Sequence, residues 1–197
     1  MAQGVSFAGA VLVTNALVPV AMMAYDAGVG GLGADPIAFV TRTTGTLTLF
    51  FLVLTLAVTP LRRVFGWGAL GQHRRTLGLV AFGYGALHFL TYLWFDAFFD
   101  VLQLGADLVG RPFIAVGLAA FLLMVPLAFT STAGAMRRLG GARWRRLHRY
   151  TYLVAVLGVV HYWSLVKADV AKPLLFAVAV GSLLLFRVVG AWRAALG

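Results

Sequence analysis

The sequence predicts an all-α membrane protein: one six-helix transmembrane bundle spanning residues 1–197, with both termini cytoplasmic. Three observations predict it. Apolar residues make up 61% of the chain and fall in long blocks. Charged residues make up only 11%, against roughly 25% in a soluble domain. Basic and acidic residues are sorted into alternate connecting segments, as the positive-inside rule requires of a chain that crosses a bilayer repeatedly.

A spanning helix needs about 20 largely apolar residues, and six segments qualify in order. Phe7–Tyr25 comes first; the first 25 residues hold no Lys or Arg, so this is a retained helix rather than a cleaved signal peptide. Gly45–Leu61 is short, and an earlier start within Ile37–Thr44 is left open. Thr76–Phe95 contains His88, and Gly78, Gly83 and Gly85 permit close backbone approach along it. Phe113–Thr130 has no ionisable side chain. His148–Val166 contains His161 and Gly158, and Pro173–Val189 completes the set. No internal repeat or low-complexity linker divides the chain, so it reads as a single domain.

The segments 62–75, 131–147 and the C-terminal tail, with the adjoining helix ends, hold 12 of the 16 basic residues. The segments 26–44, 96–112 and 167–172 hold all six acidic residues: Asp26, Asp35, Asp96, Asp100, Asp107 and Asp169. The basic set is therefore cytoplasmic and the acidic set outside. The net charge of +10 reads as topology and lipid-headgroup contact, and a nucleic-acid partner is rejected.

The chain has no cysteine, which excludes disulfides, iron–sulfur clusters, thiolate metal sites and thioether-linked haem. The histidines are His73, His88, His148 and His161, all at the start of, or within, the third and fifth predicted helices. Ionisable residues inside spans are rare and usually functional. Both helices run from cytoplasm to outside, and at 1.5 Å per residue His88 and His161 each lie roughly 18–20 Å from the cytoplasmic end. Two neutral imidazoles at equal depth on parallel helices suit the axial positions of a b-type haem. Zinc would want three or four ligands at one depth, and a proton relay would want buried carboxylates; neither is available. His148 and His161 are roughly 140° apart around an ideal helix, and His73 and His88 roughly 60°, which argues against a symmetric second haem. His73, between Gln72 and Arg74, reads as a solvated loop histidine.

Arg74, Arg75, Arg145, Arg146 and Arg149 surround the cytoplasmic ends of the two histidine helices. Their planar forks suit haem propionates or a flavin phosphate; topology and lipid anchoring remain the alternative. Tyr84, Tyr92, Trp94, Tyr150, Tyr152, Tyr162 and Trp163 crowd the same helices, as pocket lining or, for Tyr92, Trp94, Tyr162 and Trp163, as an outer aromatic belt. Gly28, Gly30, Gly31 and Gly33 make a flexible loop, not a dinucleotide fingerprint, because no strand precedes them.

The stretches Gly30 to Pro36, Arg74 to Leu79, Leu87-His88 with Thr91-Tyr92, Leu127 to Ser131, Trp144 to His148 with Tyr152 to Val154, and His161-Tyr162 resemble the MsrQ (YedZ) family. That family comprises the haem-binding membrane subunits of bacterial protein-methionine-sulfoxide reductase systems, within the ferric-reductase-like transmembrane superfamily. The resemblance runs from about residue 28 to 170. It implies a multi-pass protein of the bacterial inner membrane with b-type haem, one or two copies, and FMN. The family's haem-linked histidines match His88, His148 and His161; a histidine at the place of His73 is not general in it. It further implies electrons entering from a cytoplasmic flavin reductase or the quinol pool and leaving to a periplasmic MsrP-type molybdopterin reductase, on which the sulfoxide chemistry takes place. A quinol- or metal-reducing cytochrome b working without that partner, and a haem-free transporter or assembly factor, remain the alternatives.

Overall fold

The computed structural model of the protein describes residues 7–196, and the described residues form helices joined by short connections, with no strand among them. In chain order the helices are α1 (Phe7–Val29), α2 (Pro36–Phe65), a 3₁₀ helix (Gly68–His73), α3 (Arg74–Thr91) running into a π-helical turn (Tyr92–Asp96), α4 (Val101–Gly110), α5 (Pro112–Phe129), α6 (Ala133–Leu139), α7 (Gly141–His148), α8 (Tyr150–Leu165) and α9 (Ala171–Leu196). Among the described residues, five stretches are long and apolar enough to cross a membrane: Phe7–Val29, Pro36–Phe65, Gly68–Phe95, Pro112–Phe129 and Ala171–Ala195. This is an integral, multi-pass architecture.

α2 starts nine residues before the expected Gly45 because its start signal is local rather than hydropathic. Asp35 accepts a hydrogen bond from the Ala38 amide at 3.0 Å and Pro36 occupies the first turn, a favoured N-terminal pairing of cap and proline. Its polar letters are satisfied internally: Thr44 donates to the Val40 carbonyl at 2.7 Å, Thr48 to Thr44 at 2.9 Å and Thr55 to Phe51 at 2.7 Å. Gly66, with φ 70°, ends the helix in the left-handed conformation. At 30 residues, α2 is about 45 Å long.

The expected span His148–Val166 is divided. His148 is the last residue of α7, Arg149 stands at the joint, and α8 covers the 16 residues Tyr150–Leu165. The expected rotation between His148 and His161 assumed one ideal helix; Arg149 interrupts it while keeping right-handed helical angles, φ −68° and ψ −23°. The segment 96–112, expected as a loop, contains α4, capped by Asp100 on the amides of Leu102 and Gln103. The reversal into it passes through Phe98 and Phe99, with φ of 49° and 56°, a left-handed pair that costs about 1–2 kcal/mol per residue.

Two antiparallel hairpins, α2 with α3 and α5 with α8, make the most extensive helix packing. Leu49, Leu52, Leu56, Ala81, Tyr84, Val154 and Ala155 are buried where they meet. Ala81 and Ala155 are wholly buried, and Gly158 faces Leu49; small residues let membrane helices close up. α9 packs on α2 and α8, and α1 is tied to α3 by the Tyr84 hydroxyl donating to the Ala16 carbonyl at 2.5 Å. Leu17, Met22, Leu122, Leu175, Val178 and Val188 point outward, as lipid-facing side chains do.

Candidate functional site: two facing imidazoles and a basic cavity

His88 lies near the end of α3 and His161 near the end of α8. Each is held by the start of its antiparallel partner helix, so the two histidines stand at one level on parallel helices. Their ring centroids are 6.0 Å apart, with planes at 76°. A metal ion held between two imidazole nitrogens at about 2.0 Å each sets the centroids roughly 6 Å apart, and such rings are free to rotate about the metal–nitrogen axis. The pair therefore fits the two axial positions of a haem.

The far sides of the rings are fixed. Nδ1 of His88 donates to the Thr41 carbonyl at 2.9 Å, and Nδ1 of His161 to the Phe113 carbonyl at 2.6 Å. A carbonyl only accepts, so Nδ1 carries the hydrogen and Nε2 of each neutral ring keeps its lone pair. A backbone carbonyl behind a ligating imidazole is a common way to set tautomer and ring orientation. Among the described residues, no group of three or more His, Asp or Glu side chains gathers around a bare metal ion. The chemistry on offer is that of two facing imidazoles, each with a lone pair left on Nε2.

Toward the other end of the bundle lies a cavity of 540 Å³. Arg74, Arg75, Arg145 and Arg149 line it together with His148, over apolar walls that include Phe82 and Met124. No acidic side chain lines it. This arrangement accepts a flat apolar body with an anionic tail, such as a flavin with its phosphate or a haem with its propionates. Of the expected Arg74, Arg75, Arg145, Arg146 and Arg149, all but Arg146 are thus brought together. The Trp144 ring stacks on His148 at a centroid distance of 3.9 Å. The Thr130 oxygen lies 3.1 Å from His148 Nε2, and Trp144 donates to the Thr130 carbonyl at 2.9 Å. His73 is not brought to His148: it lies against the Gln72 amide at 3.3 Å and outside the cavity lining.

The aromatic residues divide. Tyr152 lines the cavity beneath the Arg187 guanidinium, which stands 5.4 Å from its ring centre. Tyr84 is a core residue that anchors α1, Tyr92 bonds Asp107, Tyr162 packs on Phe176, and Trp94 and Trp163 are exposed. The Thr41 and Phe113 carbonyls escaped the sequence reading, because a backbone acceptor has no letter of its own.

Long apolar helices gathered around a facing pair of imidazoles define an integral, multi-pass membrane protein. Residues 42–159 match the family described as ferric reductase like transmembrane component. The chain is 52% identical over 180 residues to the protein-methionine-sulfoxide reductase heme-binding subunit MsrQ of Herminiimonas arsenicoxydans, covering 90% of this chain and 83% of that one. It is 51% identical over 174 residues to the MsrQ of Azospira oryzae, covering 88% and 75%, and 52% identical over 164 residues to that of Rhodospirillum rubrum, covering 83% and 79%. The chain belongs to the MsrQ family of ferric-reductase-like transmembrane proteins. No solved structure matches it.

Proposed function

We propose that the chain is a b-haem electron-transfer subunit of the bacterial inner membrane. It crosses the membrane six times, with both termini in the cytoplasm. It passes electrons from a cytoplasmic flavin or quinol donor to a periplasmic molybdenum methionine sulfoxide reductase that repairs oxidised periplasmic proteins. The observation that supports this best is the His88–His161 pair, 6.0 Å apart with both Nδ1 atoms already engaged by carbonyls.

Haem, when bound, supplies a reversible one-electron centre. His88 and His161 would hold it, each through the Nε2 lone pair that its carbonyl-bound Nδ1 leaves free. Apolar helices surround the pair. FMN, when bound in the basic cavity, supplies the exchange between two-electron and one-electron donors. Arg74, Arg75 and Arg149 hold its phosphate or, with a second haem in that place, the propionates. His148 sits against this inner ligand; its Nε2 already faces Thr130, which favours a place beside a flavin over an axial one. The sulfoxide chemistry belongs to the partner, which docks on the segments bearing the acidic residues.

An absorption spectrum of the purified protein tests the reading. A Soret band with split reduced-state bands is expected, lost on His88→Ala or His161→Ala. Absence of a Soret band, even after haem supplementation, sinks it in favour of a transporter or assembly factor. Copurification with a molybdopterin protein is expected; reduction of quinone or metal ions in its place would point to a cytochrome b that works without that partner.

A further inference from the structure

We propose that Gly45 and Gly117 are positioning residues for the two axial histidines, each serving as a seat that lets an imidazole reach the helix backbone. The inference rests on the reading of His88 and His161 as haem ligands and adds two residues to it.

Gly45 lies one helical turn after Thr41 on α2, and Gly117 one turn after Phe113 on α5. In a helix the Cα–Cβ bond tilts toward the N-terminus, so a side chain covers the surface of the turn before it. A side chain at 45 would cover the Thr41 carbonyl, and one at 117 the Phe113 carbonyl. Those are the acceptors of the two histidines. A Cβ on Gly45 would stand 3.0 Å from both Nδ1 and Cε1 of His88. A Cβ on Gly117 would stand 2.7 Å from Nδ1 and 2.8 Å from Cε1 of His161, closer than carbon and ring atoms come without something moving. Several other glycines of the bundle are unlike them: Gly83 and Gly181 have open space, Gly78 meets only a Thr55 methyl at 3.9 Å, and the closer contacts of Gly71, Gly158 and Gly190 are to flexible Arg or Leu side chains.

The same device occurs twice. Each histidine bonds a carbonyl 47 or 48 residues earlier in the chain, on the partner helix of its own hairpin, and the glycine stands one turn past that carbonyl. The two hairpins are built alike here although no repeat is legible in their letters. An added methyl at either glycine pushes the ring off its carbonyl, frees Nδ1 and turns Nε2 away from the opposite imidazole.

The test uses full-length protein purified in detergent, with haem-to-protein ratio, electron paramagnetic resonance and midpoint potential as readouts. Gly117→Ala is expected to convert the low-spin two-histidine signal to high spin and weaken haem binding about 10-fold or more, as losses behind a ligand do. Gly45→Ala, with the longer contact, is expected to act the same way but less. Gly83→Ala is expected to leave signal and potential unchanged. If Gly117→Ala does not accumulate, Gly45→Ala decides by the same readouts. Wild-type signal and potential in the variant that decides, while His88→Ala and His161→Ala lose haem, overturn the seats alone. Retention of haem by both histidine variants overturns the ligand assignment itself.

Discussion

The Tyr92 hydroxyl donates a 2.7 Å hydrogen bond to a carboxylate oxygen of Asp107, joining the π-helical turn beyond His88 to α4. Asp107 is 5% exposed and also accepts from the Gln103 amide at 3.1 Å, with Arg111 at 3.6 Å. Tyr92 lies one turn past His88, so this network closes the bundle just beyond the imidazole pair.

Tyr92→Phe removes one donor from a buried carboxylate and keeps the ring. A loss of about 1–3 kcal/mol is expected. It is read as a lower unfolding midpoint of the detergent-solubilised protein, with haem content unchanged. An unaltered midpoint would mean that Gln103 and Arg111 alone satisfy Asp107.

Arg74 is half-buried and lines the inner cavity. Arg74→Gln removes a charge-assisted hydrogen bond worth about 1.5–3 kcal/mol, so FMN affinity should fall roughly 10- to 100-fold, measured by fluorescence titration. His148→Ala should also weaken FMN while leaving the His88–His161 haem in place. A haem-to-protein ratio halved by His148→Ala would instead mark His148 as the ligand of a second haem.

The membrane orientation is open to reporter fusions. A fluorescent protein joined after Gly197 should fluoresce, and alkaline phosphatase joined after Asp100 should be active, because the first lies with the basic segments and the second with the acidic ones. The reverse pattern at both sites would invert the proposed direction of electron flow.

Asp35 caps α2 through the Ala38 amide. Asp35→Ala should cost about 1 kcal/mol. The loss should appear locally, as faster hydrogen exchange in the first turn of α2, with the more distant helices unaffected.

The parts of this protein that were legible in its letters are those where one residue type contradicts its surroundings. A histidine in an apolar block is conspicuous, and so His88 and His161 could be paired by counting along parallel helices. The arginines of the inner cavity were visible as a cluster for the same reason. Other features have no such contrast. The first nine residues of α2 mix Thr41, Arg42, Thr43 and Thr44 with apolar neighbours, and only the Asp35 cap and Pro36 mark their helical state. α4 is ten residues long, too short to register as a span. The break at Arg149 is a local switch of hydrogen bonding, with the Arg149 amide donating to the Arg146 carbonyl and the Tyr152 amide to the Arg149 carbonyl, which hydropathy does not encode. The seats behind the histidines are carbonyl oxygens and absent side chains; Gly45 and Gly117 looked like any other small residue of a membrane helix.

Each hairpin carries one imidazole and the complete support for it, and neither borrows a hydrogen bond from the other to orient its ring. The two halves share one seam, where Leu49, Leu52, Ala81 and Val154 are buried together, so both rings are aimed within a bundle that already holds itself together. On the proposed reading, haem bound between His88 and His161 would link halves that already grip each other, and it should raise the unfolding midpoint of the whole bundle rather than assemble it.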